Sequence, residues 1–365
     1  MKGALKAWGK GFETRFKRGL RAALRLTLPR REPASGALEP GAVGRILVVR
    51  QDSRLGNLLL LTPLLKGIKT AFPAAAVDVL ISEAYGEVYR NNPCITRLLV
   101  LPKKVVWPEP ARPFRLLREL RERRYDLAFD ASHMHAFSLT SAVLSSLSGA
   151  RQLVGYERGD AGLFLNRLVR PPSLPRHEMD ILLTLLRAVA PWAGLPEAEA
   201  LKPEYYMSPE EKEDGEGLWN SWGADKETVA IFLGGRGDKR WETPRFLELA
   251  EELSRGGRRC ALFAGPAERS LLSNLKLPRG SFLAPPLPLR AFAAVIANAR
   301  AVVSADSGPM HLAVAAGAPT VEIFMNSDAW RFGYAHLAGH RVVDAAGRRA
   351  SVAEVLSALE SLPRL

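Results

Sequence analysis

The segment that most constrains the fold spans residues 301–324 and reads AVVSADSGPMHLAVAAGAPTVEIF. Its first and last five residues, AVVSA and TVEIF, are apolar runs typical of buried parallel strands. Between them, Ser307 is a residue type that caps helix N-termini, Pro309 suits a first helical turn, and Gly317 favours a helix stop. The spacing therefore predicts a strand, a helix and a second parallel strand, which is the building unit of open α/β sheets.

Similar apolar runs occur in two blocks, separated by residues 191–224, which are rich in Pro, Gly, Glu and Trp. The runs are ILVVR (46–50), VDVLIS (77–82), RLLVL (97–101) and DLAFD (126–130) in the first block, and VAIFL (229–233), CALFAG (260–265), AVVSA and TVEIF in the second. Helices are predicted between them, near 83–90, 113–124, 177–190 and 244–254. Strands that alternate with helices predict a parallel sheet covered on both faces.

We therefore predict an α/β protein with two domains, each built on a parallel sheet. The predicted boundaries are an N-terminal arm and linker at 1–42, a first domain at 43–190, an interdomain linker at 191–224, a second domain at 225–345 and a C-terminal helix at 346–365. The chain length of 365 residues suits two domains of ordinary size.

The N-terminal arm carries most of the net charge. Residues 1–31 contain ten Lys and Arg against one acid, Glu13, so +9 of the total +13 lies there. An apolar stripe at helical spacing is formed by Leu5, Trp8, Phe12, Phe16 and Leu20. A basic amphipathic helix of this kind favours an anionic membrane surface. A nucleic-acid-binding arm and a solvated tail are the alternatives, and we expect no nucleic acid partner.

The remaining composition indicates a protein of a reducing compartment. Cys94 and Cys260 have neither metal-ligand spacing nor the pattern of a disulfide framework. No apolar run reaches the length of a transmembrane helix, and the N-terminus lacks a signal-peptide core. We therefore expect a cytoplasmic protein that lies peripherally on the inner face of the cytoplasmic membrane.

Two loops of the second block are candidates for binding an anion. The helix predicted after Asp306 would point bare N–H groups and its positive dipole end into the ligand crevice, flanked by Asp306 and His311. The loop GGRGDKRW (234–241) combines glycines, which permit close backbone approach, with the charge of Lys239. Alone, each loop could be an ordinary turn or a solvated surface loop. Because both follow strands of one parallel sheet, we predict a nucleotide diphosphate site.

The first block offers a third loop, QDSRLGN (51–57), between a strand and a helix. It is neither a Walker A loop nor a GxGxxG dinucleotide fingerprint. His133 and His135 follow the strand DLAFD and would face the same crevice. No third ligand has suitable spacing, so we predict no metal site.

Several motifs, taken together, resemble the lipopolysaccharide heptosyltransferases of glycosyltransferase family 9. The resemblance covers roughly residues 45–345, and its marks are RLGN with TPLL, YDLAFDAS, GARQLVGY, the pair His177-Glu178, GDKRWETPRF and DSGPMHLAVAAGAPTVEIF. It implies a GT-B fold, in which two Rossmann-like domains face each other across a cleft. It also implies inverting transfer of a heptose from ADP-heptose to a lipid-linked lipopolysaccharide inner core, without a metal or redox cofactor.

The resemblance assigns the donor to the second domain. It places Lys239 near the diphosphate and Asp306 at the sugar hydroxyls, and it places His311 beside them. The backbone N–H groups of Ser307 and Gly308 would contact phosphate. Further donor contacts are expected from Gly234, Gly235 and Glu268, the last at a position where the family often contacts ribose.

The residue after Gly56 departs from the family pattern. Heptosyltransferases usually have Asp there, which resembles a general base on the acceptor hydroxyl, whereas this chain has Asn57. A carboxamide can orient a hydroxyl but cannot take its proton. The substitute base would be Asp52 first, with Asp130 or His133 behind it. The catalytic candidates are thus Asn57 and Asp52.

Arg50, Arg54 and Gly56 are the residues expected on the acceptor or phosphate side of the cleft. Two other functions stay open. One is a catalytically weak or silent sugar-nucleotide-binding relative that acts in envelope assembly. The other is a different GT-B chemistry, such as a nucleotide-sugar epimerase, which would need no lipid acceptor.

Overall fold

The computed structural model describes residues 32–101, 112–265, 268 and 276–363. The predicted amphipathic arm lies outside the described residues, except for its linker. That linker runs along the first half of the molecule: the amide of Ala34 donates to Asn166 O, and that of Leu38 donates to Val189 O. Within the described ranges, no helix is both long enough and apolar enough to span a membrane.

The first half is built on a sheet of six parallel strands in the order β3-β2-β1-β4-β5-β6. The strands are β1 (Arg45–Arg50), β2 (Ala76–Ser82), β3 (Arg97–Leu101), β4 (Leu127–Asp130), β5 (Gln152–Tyr156) and β6 (Arg167–Val169). Its helices are α1 (Leu55–Leu59), α2 (Thr62–Ala71), α3 (Arg112–Glu122), α4 (Leu139–Leu147) and α5 (Glu178–Arg187). Short 3-10 turns occupy Glu83–Tyr89 and Ala161–Leu163.

The second half repeats the plan, with strands in the order β12-β11-β10-β7-β8-β9. The strands are β7 (Val229–Phe232), β8 (Cys260–Phe263), β9 (Ser281–Leu283), β10 (Ala301–Ala305), β11 (Thr320–Phe324) and β12 (His340–Asp344). The helices are α6 (Pro209–Ser221), α7 (Thr243–Arg255), α8 (Leu289–Ile296), α9 (Gly308–Ala315), α10 (Ala329–Phe332) and α11 (Val352–Glu360). The α/β prediction of two parallel sheets is thus confirmed.

The apolar runs form strands because both faces of each sheet are covered. In β1, Ile46 and Val48 pack into one buried cluster, whereas Leu47 and Val49 pack into another on the opposite face. A strand buried on both faces needs apolar residues at every position rather than at alternate ones. One of these clusters continues from α1 and α2 into α9, so the two halves share apolar packing.

Several details differ from the prediction. Four strands were not predicted: β5, which begins with the polar Gln152, and β6, β9 and β12, which are short or begin with charged and polar residues at the edge of a sheet. Residues 191–224 contain α6, which packs against α8 so closely that a Cβ at Gly215 would lie 2.6 Å from the carbonyl carbon of Ala294. The predicted side-chain cap by Ser307 is wrong: the hydroxyl makes no cap bond to α9 and instead lies 3.0 Å from Ser304 Oγ.

Candidate active site at the facing switch points

The strand order reverses once in each sheet, between β1 and β4 and between β7 and β10. Ligands of open α/β sheets bind outside the carboxyl ends of the strands at such a switch point. Here the helices that follow β1 and β10, α1 and α9, pack against each other. The two switch points therefore face one another, and most of the predicted site residues gather there.

Glycines make this contact possible. A Cβ at Gly56 would lie 2.9 Å from His311 Nε2 and still closer to Cδ2 of the same ring. A Cβ at Gly308 would lie 3.0 Å from the Cβ of Leu55. Both distances are at or below the limit of real carbon contacts, so α1 and α9 approach this closely only with glycine at both positions.

On the second half, Lys239 and Asp306 form a pair at the carboxyl ends of β7 and β10. Lys239 Nζ lies 2.5 Å from Asp306 Oδ2 and 5.6 Å from the ring centre of Phe332. Burial opposes ionisation of Asp306, but the Lys239 hydrogen bond and neighbouring positive charge outweigh it and lower the pKa of the carboxyl. The donor side therefore presents a carboxylate and a half-buried ammonium together.

His311 occupies the floor between the halves. Its Nδ1 lies 2.7 Å from the hydroxyl of Tyr334, and its Nε2 lies 4.0 Å from Asp306 Oδ1. Burial lowers the pKa of His311, so the ring is neutral at pH 7, and burial raises the pKa of Tyr334, which keeps its proton. Tyr334 thus donates to Nδ1, and the N–H of Nε2 points toward Asp306.

The glycine loop after β7 is shaped by its neighbours. A Cβ at Gly235 would lie 2.8 Å from the Cα of Arg240, and one at Gly234 would lie 3.1 Å from Glu268 Cδ. Glu268 is itself buried, and its amide donates to the carbonyl of Gly265 at the end of β8. The structure therefore brings Glu268 next to the loop that also carries Lys239.

On the first half, Asp52 is the centre of a hydrogen-bonded network. Its Oδ1 accepts from the amide of Arg54 at 3.0 Å, and its Oδ2 lies 2.6 Å from Asn57 Nδ2 and 3.1 Å from His133 Nε2. Arg50 Nη2 is 3.5 Å away. Burial raises the pKa of Asp52, but these donors and charges dominate and hold it at about 2. The prediction that Asp52 lies at the cleft agrees with this position, but so low a pKa makes it a weak base.

The other two substitute bases differ in access. Asp130 is buried; Ser132 donates to its Oδ1, while its Oδ2 has no hydrogen-bond partner and lies 3.6 Å from Arg158 Nη2. Burial raises the pKa of Asp130. The His133 side chain, in contrast, is 28% exposed.

Both His133 and Asp52 line a cavity of about 260 Å³ on the first half. Its other walls are formed by Arg50, Gln51, Ser132, Ala136, Phe137, Ser138, Leu139 and Thr140. Although it forms part of this wall, Arg50 is almost fully buried and its Nη1 donates to the carbonyl of Ala131, whereas Arg54 is exposed. Of the two predicted cations, Arg54 is thus the one open to solvent.

A buried ion pair joins the halves beside this cavity. Arg331 of α10 donates from Nε and Nη2 to Glu178 Oε2, at 2.8 and 2.6 Å. Burial raises the pKa of Glu178, but His133 and Arg331 offset this and hold it at about 2. Neither Glu178 nor Arg331 had a predicted role, because residues 153 positions apart give no local pattern. The pair His177-Glu178 was recognised only as a family mark.

Across the described part of the chain, no group of three or more His, Cys, Asp or Glu side chains is arranged to hold a metal ion. The side chains found at the two switch points are hydrogen-bond donors, carboxylates, imidazoles and cationic groups.

Comparisons with known proteins agree with this geometry. The model of the family "Glycosyltransferase family 9 (heptosyltransferase)" matches residues 113–351. Lipopolysaccharide heptosyltransferase 1 of Pseudomonas aeruginosa is 28% identical over 303 residues, which cover 77% of this chain and 78% of that protein. A family 9 glycosyltransferase structure from Veillonella parvula has a TM-score of 0.74 at 20% identity and covers 89% of this chain and 98% of its own. The structure of E. coli heptosyltransferase WaaC with ADP-2-deoxy-2-fluoro heptose has a TM-score of 0.65 at 21% identity, covering 87% and 99%.

Proposed function

The chain belongs to glycosyltransferase family 9, the heptosyltransferase family, and on this premise we propose that it moves a heptose from ADP-heptose to a lipopolysaccharide core or a related envelope glycan. The family match confirms the resemblance drawn from the motifs and the expectation of a glycosyltransferase. One observation carries the proposal further. The two switch points face each other, with Lys239 and Asp306 on one side and Asn57, Asp52 and His133 on the other.

The donor belongs on the second half. Lys239 provides a positive charge for the diphosphate, and the start of α9 adds a positive dipole end. Asp306, held as a carboxylate, accepts hydrogen bonds from sugar hydroxyls. The choice of ADP-heptose is supported by the related WaaC structure that holds an ADP-heptose analogue.

The acceptor belongs on the first half, in the cavity beside His133 and Asp52. A hydroxyl there would approach the anomeric carbon from the side opposite to Lys239 and the departing diphosphate. Attack from that side inverts the anomeric configuration. Arg54, exposed at the same loop, suits an anionic group of the acceptor.

Residues 1–31, with their net charge of +9, would hold the enzyme at the anionic inner face of the cytoplasmic membrane, where a lipid-linked acceptor is presented. Deleting residues 2–31 should release the protein from vesicles that contain anionic lipid, while ADP-heptose affinity is retained. Undiminished vesicle binding by the truncated protein would contradict this assignment.

The proposed function is tested with purified full-length protein, ADP-heptose and heptose-deficient lipopolysaccharide. We expect ADP release that depends on the acceptor, a mass increase of one heptose on the glycan, and an inverted anomeric centre by NMR. Acceptor-independent conversion of the nucleotide sugar would instead indicate an epimerase.

A sugar-nucleotide-binding protein without turnover is the second candidate, because Asn57 stands where the family usually has Asp. It predicts that ADP-heptose raises the melting temperature of the protein, since a ligand of the native state stabilises it by mass action. Under this alternative no transfer occurs with any acceptor. GDP- and UDP-sugars serve as comparison donors in the same melting assay.

A further inference from the structure

His133 lies between two carboxylates from different elements. Its Nδ1 is 3.3 Å from Glu178 Oε1 at the start of α5, and its Nε2 is 3.1 Å from Asp52 Oδ2 in the loop after β1. Since the ring forms part of the cavity wall, a substrate can reach it. A buried carboxylate on one nitrogen and an accessible second nitrogen are the arrangement by which enzymes orient a histidine base.

Asn57 completes this arrangement. Its Nδ2 lies 2.6 Å from Asp52 Oδ2 and 3.2 Å from His133 Nε2. A primary amide has two N–H groups, so one hydrogen can go to the carboxylate and the other to the imidazole. In the neutral ring that a base requires, the proton is on Nδ1, facing Glu178, and Nε2 accepts from Asn57; the contact from Nε2 to Asp52 Oδ2 becomes a hydrogen bond in the imidazolium. A carboxylate at position 57 would instead face Asp52 as a like charge at 2.6 Å.

The orientation of the ring depends on both halves of the molecule. Glu178 uses Oε1 for His133 and Oε2 for two donors of Arg331, which belongs to the second half. The Glu178 carboxylate is buried and ionised. Arg331 therefore acts as a positioning residue, because it holds the carboxylate that holds the imidazole.

We infer that His133 is the general base of the transfer reaction, taking over the role of the acidic residue that Asn57 replaces. The inference rests on the proposed function. The acceptor hydroxyl displaces Asn57 from Nε2 and gives its proton to that nitrogen. Its oxygen bonds to the anomeric carbon, and the bond from that carbon to the diphosphate breaks, with the electron pair leaving on ADP. The imidazolium then donates to both Asp52 and Glu178 until its proton passes to water.

The neighbouring charges fit this role better than a role for Asp52 as the base. Asp52, with a pKa of about 2, is a poor proton acceptor but a good partner for an imidazolium. The other charged or titratable groups that face His133 are Arg50 Nη2 at 3.5 Å, the His135 ring at 5.5 Å, and Arg158, which donates to its carbonyl.

The test compares pH profiles of kcat/KM for heptose transfer in wild type, His133→Asn, Asn57→Asp and His135→Asn. His133→Asn should reduce kcat/KM by about 10²- to 10⁴-fold. It should also lose the acid limb of the profile, which is the fall in kcat/KM at low pH as the base becomes protonated. The Kd for ADP, measured by calorimetry, should change by less than about threefold. Asn57→Asp should move the acid limb to higher pH, because the added negative charge favours the imidazolium. His135→Asn, the matched histidine, should keep the acid limb.

A second measurement needs no turnover. In wild-type protein labelled with ¹⁵N-histidine, NMR should show the neutral His133 ring protonated on Nδ1, with its signals assigned by their loss in His133→Asn. A neutral ring protonated on Nε2, or a His133→Asn enzyme that keeps its acid limb and a rate within about threefold of wild type, would overturn the inference. A wild-type protein that binds ADP-heptose without transferring it would overturn the proposed function instead.

Discussion

The two switch points are built by the same strand order, yet each surrounds a histidine of a different kind. At the first, His133 is 28% exposed and has a carboxylate near each ring nitrogen. At the second, His311 is buried, accepts from Tyr334 and packs against Gly56. His133 is placed to exchange a proton with a substrate. His311, in contrast, packs between the two halves and helps to fix their relative position. Topology thus fixes where a site lies, and a few side chains decide its chemistry.

The difference extends to the charges. The first switch point surrounds its carboxylates with an imidazole, an amide and the buried Arg50, whereas the second pairs Asp306 with the half-exposed Lys239. A flexible ammonium that can turn from its carboxylate to a phosphate suits a donor site. A fixed network around an accessible ring suits proton transfer.

Apart from substitutions of His133 and Asp52, the largest effect is expected at the contact that joins the two sites. Gly56→Ala places a methyl group within 2.9 Å of His311 Nε2, so α1 and α9 must separate. Because a displacement of about 1 Å can cost about 10²-fold in rate, kcat/KM should fall by about that factor. Gly217→Ala is the matched control, since its Cβ meets nothing within 4 Å and lies in a helix that favours alanine. Equal kcat/KM in both variants would mean that the contact is not needed.

The next effect concerns the donor side alone. Lys239→Ala should weaken ADP-heptose binding by about 1.5–3 kcal/mol, because a charge-assisted contact to the diphosphate is lost. Asp306→Asn should spare ADP affinity and reduce the extra affinity that the heptose provides. Calorimetry with ADP and ADP-heptose separates the two. Donor affinity unchanged in both variants would place the donor elsewhere.

The smallest effect on transfer comes from a group that bears on the stability of the second half rather than on its function. Glu322 is buried in the centre of β11, where its carboxyl accepts from the amide of Tyr334 and from Thr320 Oγ1. Burial raises the pKa of Glu322 to about 8, from about 4.5 when unfolded. The folded state therefore binds an extra proton between these values. The contribution of Glu322 to stability should therefore be fully present below about pH 4.5 and should fall by up to about 1.4 kcal/mol per pH unit as the pH rises toward 8.

Glu322→Gln should flatten this dependence, since the amide stays neutral. Its carbonyl can accept from Tyr334, and its N–H can donate to Thr320, whose hydroxyl also lies 2.8 Å from His340 Nδ1. Urea unfolding at pH 5, 6.5 and 8 measures the effect. A variant as pH-dependent as wild type would contradict the assignment.

The sequence predicts the fold well wherever the signal is local. The segment from β10 to β11 contains two apolar runs, a proline at the helix start and a glycine at its end, and the structure follows this pattern. One wrong prediction, the helix cap, concerns a single side chain in this same segment. Ser307 lies at the predicted N-cap, but its hydroxyl pairs with Ser304, a choice that depends on the strand beneath it.

The site is predictable only in part, for a physical reason. Asp52 and Asn57 are neighbours in one loop, so their proximity follows from the sequence. Glu178, in contrast, contacts His133 through one carboxylate oxygen and Arg331 through the other. These three residues come from three separate segments, and Arg331 belongs to the second half. No periodicity encodes such contacts, because they arise only when the sheets have packed.

The most direct test of the division of labour is to measure both ADP-heptose affinity and the single-turnover transfer rate in Asp52→Asn and Lys239→Ala. Asp52→Asn should lower the rate by about 10² or more and leave the Kd within about twofold, because Asp52 stabilises the proton acceptor and does not bind the donor. Lys239→Ala should raise the Kd by at least about tenfold. A Kd that rises in Asp52→Asn with an unchanged rate at saturating donor would contradict the account.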